Sequence, residues 1–384
     1  GTPAKFSPTD NVAWKVALPG PGNSTPVVSG DQIFLTCGID GKDSVLAYDT
    51  KGKELWQASY GAEVPGKGKR VGTGSNSSPV TDGEHVFAYF KSGRVAGLTA
   101  DGKKLWDFSL TEKYGKDHLW WDQGTSPVLA GGHVVVTVMQ TEGNSYLVAL
   151  DKKTGKVAWH TERKFDVAPE SGDSYTTPLV MTLDGVETIV NWGADHLTGH
   201  DAKTGKQVWV CAGFNPKKNK YWRVIASAAA TNGIVLVPYA RGDSIAGVKV
   251  GGKGDITEGA ILWKRDGLGS DAASPVAHDG TFIILKDSGK TRGTVTGIDA
   301  ATGKTLWESN LPKGPQQYYA SPTLIGDKLY CARESGTLFS ATVTDKGLTE
   351  IVENKLGETL IASPVALDGK LLVRGRDHLY CFGK

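Results

Sequence analysis

One string returns along this chain with a turn inside it and a tryptophan at its end: LVALDKKTGKVAW (147–159), LTGHDAKTGKQVW (197–209) and VTGIDAATGKTLW (295–307). Self-similarity at a fixed spacing constrains a fold more than composition does. Tryptophans in this register stand at Trp14, Trp56, Trp106, Trp159, Trp209, Trp263 and Trp307, at intervals of 42, 50, 53, 50, 54 and 44 residues. A second marker, a Ser/Thr–Pro pair opening an apolar run, places Pro26, Pro79, Pro127, Pro178, Pro275, Pro322 and Pro364. Between Pro178 and Pro275 the same slot falls on Ala228, which makes eight openings for seven tryptophans. Val352 stands in the slot after Trp307. The opening at Pro364 runs to HLYCFGK without a tryptophan, whereas NVAWKVALP carries Trp14 with no opening before it. One unit is therefore divided between the two ends of the chain.

Each unit reads as four short strands. In residues 126–159 these are SPVLA, HVVVTVMQ, YLVALD and KVAW, separated by Gly-bearing turns. β-Branched alternation bounded by such turns is the signal of hairpins, and no stretch keeps a helical period. The 50 glycines in 384 residues agree with many tight turns. Eight four-stranded units predict an all-β fold, an eight-bladed β-propeller of antiparallel blades. It is expected to be one domain over residues 1–384, closed by a blade built from about 363–384 plus 11–17, which leaves no free edge. The tryptophan then packs on the neighbouring blade, glycine permits a positive φ in the turn, and aspartate accepts the turn amides. These residues read as a blade-to-blade clasp rather than as chemistry.

Bulk properties remove several classes. Formal net charge is +2, which gives no basis for expecting nucleic acid. No apolar run reaches the length of a membrane span. The start at Gly1-Thr2-Pro3 has neither a basic start nor an apolar stretch, so the expectation is an exported protein of the periplasm or cell envelope whose signal peptide is already absent. Cys37, Cys211, Cys331 and Cys381 lie far apart without a CxxC, which predicts four buried thiols in strands and no metal site. The expected state is a monomer.

The pattern Ala-x-Asp-x-x-Thr-Gly-x-x-x-Trp at 149–159, with relatives at 47–56, 199–209 and 297–307, resembles the tryptophan-docking motif of the PQQ-like (quinoprotein-type) propeller repeat. The resemblance spans essentially the whole chain. That superfamily includes quinoprotein alcohol dehydrogenases, which hold pyrroloquinoline quinone with calcium or a lanthanide, and cofactor-free scaffolds of the BamB type. The opening FSPTDNVAWKVALPGPGNSTPVVSGDQIFLT is also similar to exported PQQ-like proteins of planctomycete-type bacteria. The chain departs from the dehydrogenases in being shorter and in having neither adjacent cysteines nor a CxxCH haem motif.

In such a ring two sets of loops should rim one funnel, and loops carry function. The connectors before the innermost strands are aromatic: they bring His118, Trp120, Trp121, Asp122 and Gln123, then Asp173 and Tyr175, then Tyr221, Trp222 and Arg223, then Gln317, Tyr318 and Tyr319. Connectors between second and third strands are basic, with Lys91, Arg94, Arg241, Lys286, Arg333, Arg374 and Arg376. Trp120, Trp121 and Trp222 stand outside the docking series. Arginine suits planar contact with anions. The predicted function is a non-catalytic binding scaffold presenting this aromatic and basic funnel to a protein, a glycan or an anionic small ligand, with no cofactor. A plug of aromatics with locally paired arginines is the structural alternative. The enzymatic alternative, a small PQQ-dependent oxidoreductase, would use Trp120, Trp121 or Trp222 as stacking platform and Asp122, Asp173 or Asp271 as base or metal ligand. A third reading uses the same tryptophans in a carbohydrate-binding or carbohydrate-processing propeller. The basic, glycine-rich stretch PGKGKRVGTGSNSSP (65–79) reads as a solvated loop crossing the face.

Overall fold

The computed structural model describes residues 1–68 and 71–384. Its strands form eight antiparallel blades, seven of them paired in chain order from the inner strand outwards. Blade 3 is representative, with strands Val128–Ala130, His133–Val138, Tyr146–Asp151 and Val157–Glu162. The two middle strands are apolar on both faces because each blade is covered by a neighbour on either side, as for any doubly covered sheet. The core is accordingly divided into layers between blades. Phe87 and Val95 of blade 2, for example, meet Val134 and Val148 of blade 3. All four cysteines are free buried thiols, and each lies in a strand.

The ring closes as the divided unit predicts. Val12–Ala17 pairs antiparallel with His378–Phe382, placing Trp14 beside Cys381, so the first strand of the chain completes blade 8. Blade 4 departs from the four-strand expectation. Residues Gly254–Asp255 add a short parallel strand to Gln207–Cys211, and Ile256 N donates to Val210 O (2.8 Å). This insertion covers an otherwise open edge. A single helical turn, Leu110–Tyr114, follows blade 2 and is capped by the Ser109 hydroxyl.

The recurring string builds the clasp between blades. Asp151 Oδ1 accepts from the amides of Lys153 (3.1 Å) and Thr154 (2.8 Å), and Asp201 repeats the arrangement. Gly155 and Gly205 take positive φ of 67° and 72°. Each presents its bare Cα to the indole of the preceding blade: a Cβ at Gly205 would lie 2.3 Å from Trp159 Cε3. Five indoles donate to turn carbonyls of the next blade, as in Trp14 to Thr50 O (2.9 Å), Trp106 to Lys152 O (2.9 Å) and Trp263 to Ala300 O (2.8 Å). Trp209 and Trp307 instead pack into the apolar layers facing blades 5 and 7, whose turns lack the Asp-x-x-Thr-Gly string.

The Ser/Thr before each marker proline forms a second, inner closure. The backbone N–H of Thr25 donates to Ser78 Oγ, that of Ser78 to Ser126 Oγ, and so on through Thr177, Ser227, Ser274, Ser321 and Ser363. The N–H of Ser363 then returns to Thr25 Oγ1 at 3.2 Å, which completes an eight-membered ring of hydrogen bonds around the axis. Proline follows in seven of the eight positions and locks φ just after the bond. Replacing one hydroxyl removes the side-chain acceptor of one amide of the preceding blade. Ser126→Ala is therefore expected to lower unfolding free energy by about 1 kcal/mol, read by urea denaturation.

The tryptophan missing from blade 7 is replaced from a distance. Val352 pairs with Ser340 just before a bulge, the register in which Trp159 pairs with Ala149 and Trp209 with Gly199. Over this slot runs the start of the chain. Ala4 O accepts from Ser340 Oγ (2.5 Å) and Asn354 Nδ2 (3.0 Å), and Phe6 N donates to Asn354 Oδ1 (2.8 Å). The Phe6 ring stacks on Phe382 of blade 8 with centroids 4.3 Å apart. An aromatic side chain thus still bridges blades 7 and 8, supplied by the N-terminal strap.

Candidate functional site

The connectors before the inner strands converge at one mouth of the channel around a cavity of about 590 Å3, within the size range of small-ligand sites. Every blade contributes to its wall, and seven members of the hydroxyl ring lie among the lining residues with Thr25. In an eight-membered ring, blades four apart face each other across the axis. Trp121, leading into blade 3, therefore opposes Tyr319, leading into blade 7; both line the cavity and are half-buried. Asn23 and Asn76 line the wall at blades 1 and 2, opposite Arg223 and Asp271 at blades 5 and 6.

The charges in the wall are matched to one another. Arg223 holds Asp271 in a bidentate pair, Nη1 to Oδ1 at 2.7 Å and Nη2 to Oδ2 at 2.9 Å. Burial opposes the guanidinium's charge, but the hydrogen bonds and attraction of Asp271 outweigh it and hold the pKa above its ordinary value. Asp271 is itself aimed by Asp287, whose carboxylate accepts the amides of Asp271 (3.0 Å), Ala272 (2.5 Å) and Ala273 (3.0 Å). Burial pushes the Asp287 carboxyl up despite these three donors. Lys91 pairs with Asp122 at 2.6 Å, with both side chains almost wholly buried.

The residues singled out in the sequence separate into three groups. Trp121, Asp122, Tyr175, Arg223, Arg241, Tyr318 and Tyr319 line the cavity. Tyr175 is buried and its hydroxyl accepts the Trp121 amide (2.9 Å). Tyr318 is also buried, and burial pushes its phenol up to about 12. Asp173 sits behind the wall, accepting from Thr141 N (2.7 Å) and Trp120 N (3.2 Å). A second group lies outside the wall. Trp120 is 58% and Tyr221 60% exposed, while Trp222 turns back against the apolar layer of blades 4 and 5, 6.2 Å from the Tyr239 ring.

The third group is the basic set, and most of it does not reach the cavity. Arg94 is drawn to Asp43 (3.6 Å) and Asp107. Arg333 donates to Pro312 O (3.0 Å) and lies over the Phe339 ring. Arg374 is fully buried and donates to Ser24 O (3.0 Å) and Cys37 Sγ (3.2 Å). Lys286 donates to Gly242 O (2.6 Å). A buried cation must find acceptors, and the nearest backbone and carboxylate oxygens supply them. Arg241 alone of that set lines the wall with substantial exposure among the described residues. The expected basic funnel is thus largely neutralised. The loop 65–79 also differs from its reading as solvated: Gly72 and Asn76 line the cavity and Ser75 and Ser77 are buried, while Lys69 and Arg70 lie outside the described residues.

The hydroxyl ring, Asn23 and Asn76 escaped the choice of site residues. The first had a signal, the Ser/Thr of each marker pair; the asparagines had none beyond their place just before it.

A closed eight-bladed propeller with a paired, polar axial cavity defines a repeat scaffold of the PQQ-like type. A family model described as "Outer membrane protein assembly factor BamB" matches residues 6–137, 99–254 and 245–384, so the chain belongs to that family. It is 25% identical over 355 residues to the outer membrane protein assembly factor BamB of Escherichia coli K12, covering 79% of this chain and 83% of that protein. The Yersinia pestis protein of the same name is 23% identical over 343 residues, with 83% and 75% covered. Among solved structures, BamB from Moraxella catarrhalis superposes with a TM-score of 0.65 at 16% identity over 97% of both chains. A europium-containing methanol dehydrogenase does so at 0.69 and 12% identity, over 97% of this chain and 93% of the other. At such identities the structural likeness speaks for the fold alone.

Proposed function

We propose that this chain is a non-catalytic docking scaffold of the cell envelope that binds a protein partner engaged in outer-membrane protein assembly. The observation that carries it is the pair Trp120 and Tyr221, 58% and 60% exposed on connectors flanking the cavity. The docking repeat does not use either ring. Exposed aromatics on a mouth of rigid loops are the residue type that anchors protein interfaces. Tyr221 is held outward by a left-handed backbone, φ 69°, a conformation that costs energy for a non-glycine residue.

A photo-crosslinking amino acid at position 120 or 221, introduced in the protein in its native envelope, is expected to capture a component of the outer-membrane protein assembly machinery. The double variant Trp120→Ala, Tyr221→Ala should keep the melting temperature while outer-membrane protein assembly declines at least several-fold. Normal assembly in that variant, with no crosslink from either position, would overturn the reading.

The quinone fits this cavity poorly. Pyrroloquinoline quinone is a tricarboxylate, yet Arg223 and Lys91 are already spent on Asp271 and Asp122, leaving Arg241 as the exposed guanidinium of the described wall. Among the described residues, no three His, Cys, Asp or Glu side chains come together as a metal-binding group. Titration with the quinone plus calcium or a lanthanide is expected to leave tryptophan fluorescence unquenched at micromolar cofactor. Saturable, metal-dependent quenching would restore the oxidoreductase alternative.

A further inference from the structure

We propose that the axial cavity is a binding site for a neutral saccharide, entering end-on along the propeller axis. The site goes beyond the docking role and uses different residues of the same face.

The argument begins with the hydroxyl ring. Each ring oxygen accepts one backbone N–H from the preceding blade. A hydroxyl has one donor as well as its acceptor lone pairs, so each keeps its own proton to offer, and these side chains line the cavity. A collar of hydroxyl donors suits a ligand rich in neutral oxygen acceptors and disfavours an apolar one, whose burial there would strip water from polar groups without replacement.

Charge narrows the class further. The Arg223–Asp271 pair presents the carboxylate side, Asp271 being 23% exposed against 4% for Arg223. Polyanions gain little from a guanidinium already held in a bidentate pair, and a cation meets the same compensation at Asp122 through Lys91. Arg241, the exposed guanidinium of the wall, has Glu170 at 4.0 Å, so the described wall offers oriented donors and acceptors without a net field that selects a charged ligand. Asp271 can accept from vicinal hydroxyls; across the axis, Asn23 has its Nδ2 on Val71 O and Asn76 Oδ1 and keeps its Oδ1 as an acceptor, while Asn76 donates to Gln123 O and keeps one Nδ2 hydrogen to offer.

Shape supplies the last constraint. Trp121 and Tyr319 lead into blades four apart and so line the cavity on opposite sides of the axis, each half-buried. Flat aromatic faces complement the C–H faces of pyranose rings while the ring hydroxyls point sideways to the polar wall. An extended peptide shares the neutral, acceptor-rich backbone but lacks such flat apolar faces. The donor array, the matched charges and the two aromatic residues on opposite sides of the wall thus agree on one ligand chemistry.

Cellotetraose, maltotetraose, mannotetraose and chitotetraose, titrated against the full chain by calorimetry and by saturation-transfer NMR, test this directly. At least one should bind saturably at millimolar or lower concentration. Trp121→Ala and Tyr319→Ala should each weaken it about tenfold, in line with one aromatic contact. Should either variant be unstable, Asp271→Asn gives a second reading, because it replaces one acceptor oxygen without emptying the wall. Trp120→Ala with Tyr221→Ala should leave saccharide affinity unchanged, so loss of partner docking and loss of sugar binding are separable. No saturation by any tetrasaccharide at 50 mM-scale concentrations, on the order of the weakest specific sites, overturns the proposal. So does binding insensitive to Trp121 and Tyr319, or capture of a neutral Gly-Ser octapeptide in preference to every sugar.

Discussion

Deleting residues 1–16 is expected to leave the chain without a cooperative unfolding transition. The deletion removes the strand Val12–Ala17 except for its last residue, and with it Trp14, whose indole reaches Thr50 O of blade 1 at 2.9 Å. It also removes the strap that carries Phe6 onto Phe382. Blade 8 would keep three strands and an open edge, and two neighbouring blade interfaces would lose their aromatic contact. In a ring each blade is stabilised by both neighbours, so opening one seam exposes apolar layers on either side. Calorimetry should show a broadened, early transition or aggregation in place of a single peak. Phe6→Ala separates the strap from the strand, and an expected loss of about 3 kcal/mol marks the strap's own share. A deletion variant as stable as the parent would refute the shared blade.

Trp159→Ala is expected to cost about 3–5 kcal/mol. Trp159 is 9% exposed, packs among Val135, Leu147, Ile189 and Ala202, and donates to Ala202 O at 3.2 Å. Truncation leaves a cavity against Gly205, which has no side chain to fill it, and strips the Ala202 carbonyl of its donor. The surrounding strands are pinned by their ladders and relax little. Urea denaturation gives the number; an unchanged midpoint would remove Trp159 from the docking role.

Much of the fold was legible because it rests on local chemistry repeated many times. The Asp-x-x-Thr-Gly turn, the tryptophan in step with it and the Ser/Thr–Pro opening each act within one blade or between neighbours. Val352 shows how far this goes: its place in the docking register was visible although its residue type had changed, and the ladder with Ser340 puts it there. The replacement for its indole was not visible. Phe6 lies 346 residues away and carries no repeat signature, so only the path of the N-terminal strap brings it to the seam.

The site divides in the same way. Trp121, Tyr175, Arg223, Tyr318 and Tyr319 line the cavity because each lies two to five residues before a ring hydroxyl, on the connector that the repeat brings to the mouth. Trp120 and Trp222 stand one residue from lining positions and point elsewhere, the first into solvent and the second against the apolar layer of blades 4 and 5. The arginines misled most. A basic side chain in a loop near a channel says nothing of the acid it will meet, and Arg94, Arg333 and Arg374 are claimed by Asp43, Pro312 O and Ser24 respectively. By itself, then, the sequence determined the number of blades, their closure and the residues that clasp them, because hydrogen-bonded hairpins and a recurring indole are short-range and periodic. Tertiary structure alone decided which charges cancel and which groups face the axis. Those outcomes depend on side chains from eight separate connectors meeting in one place, where each buried charge takes whichever partner geometry brings within reach.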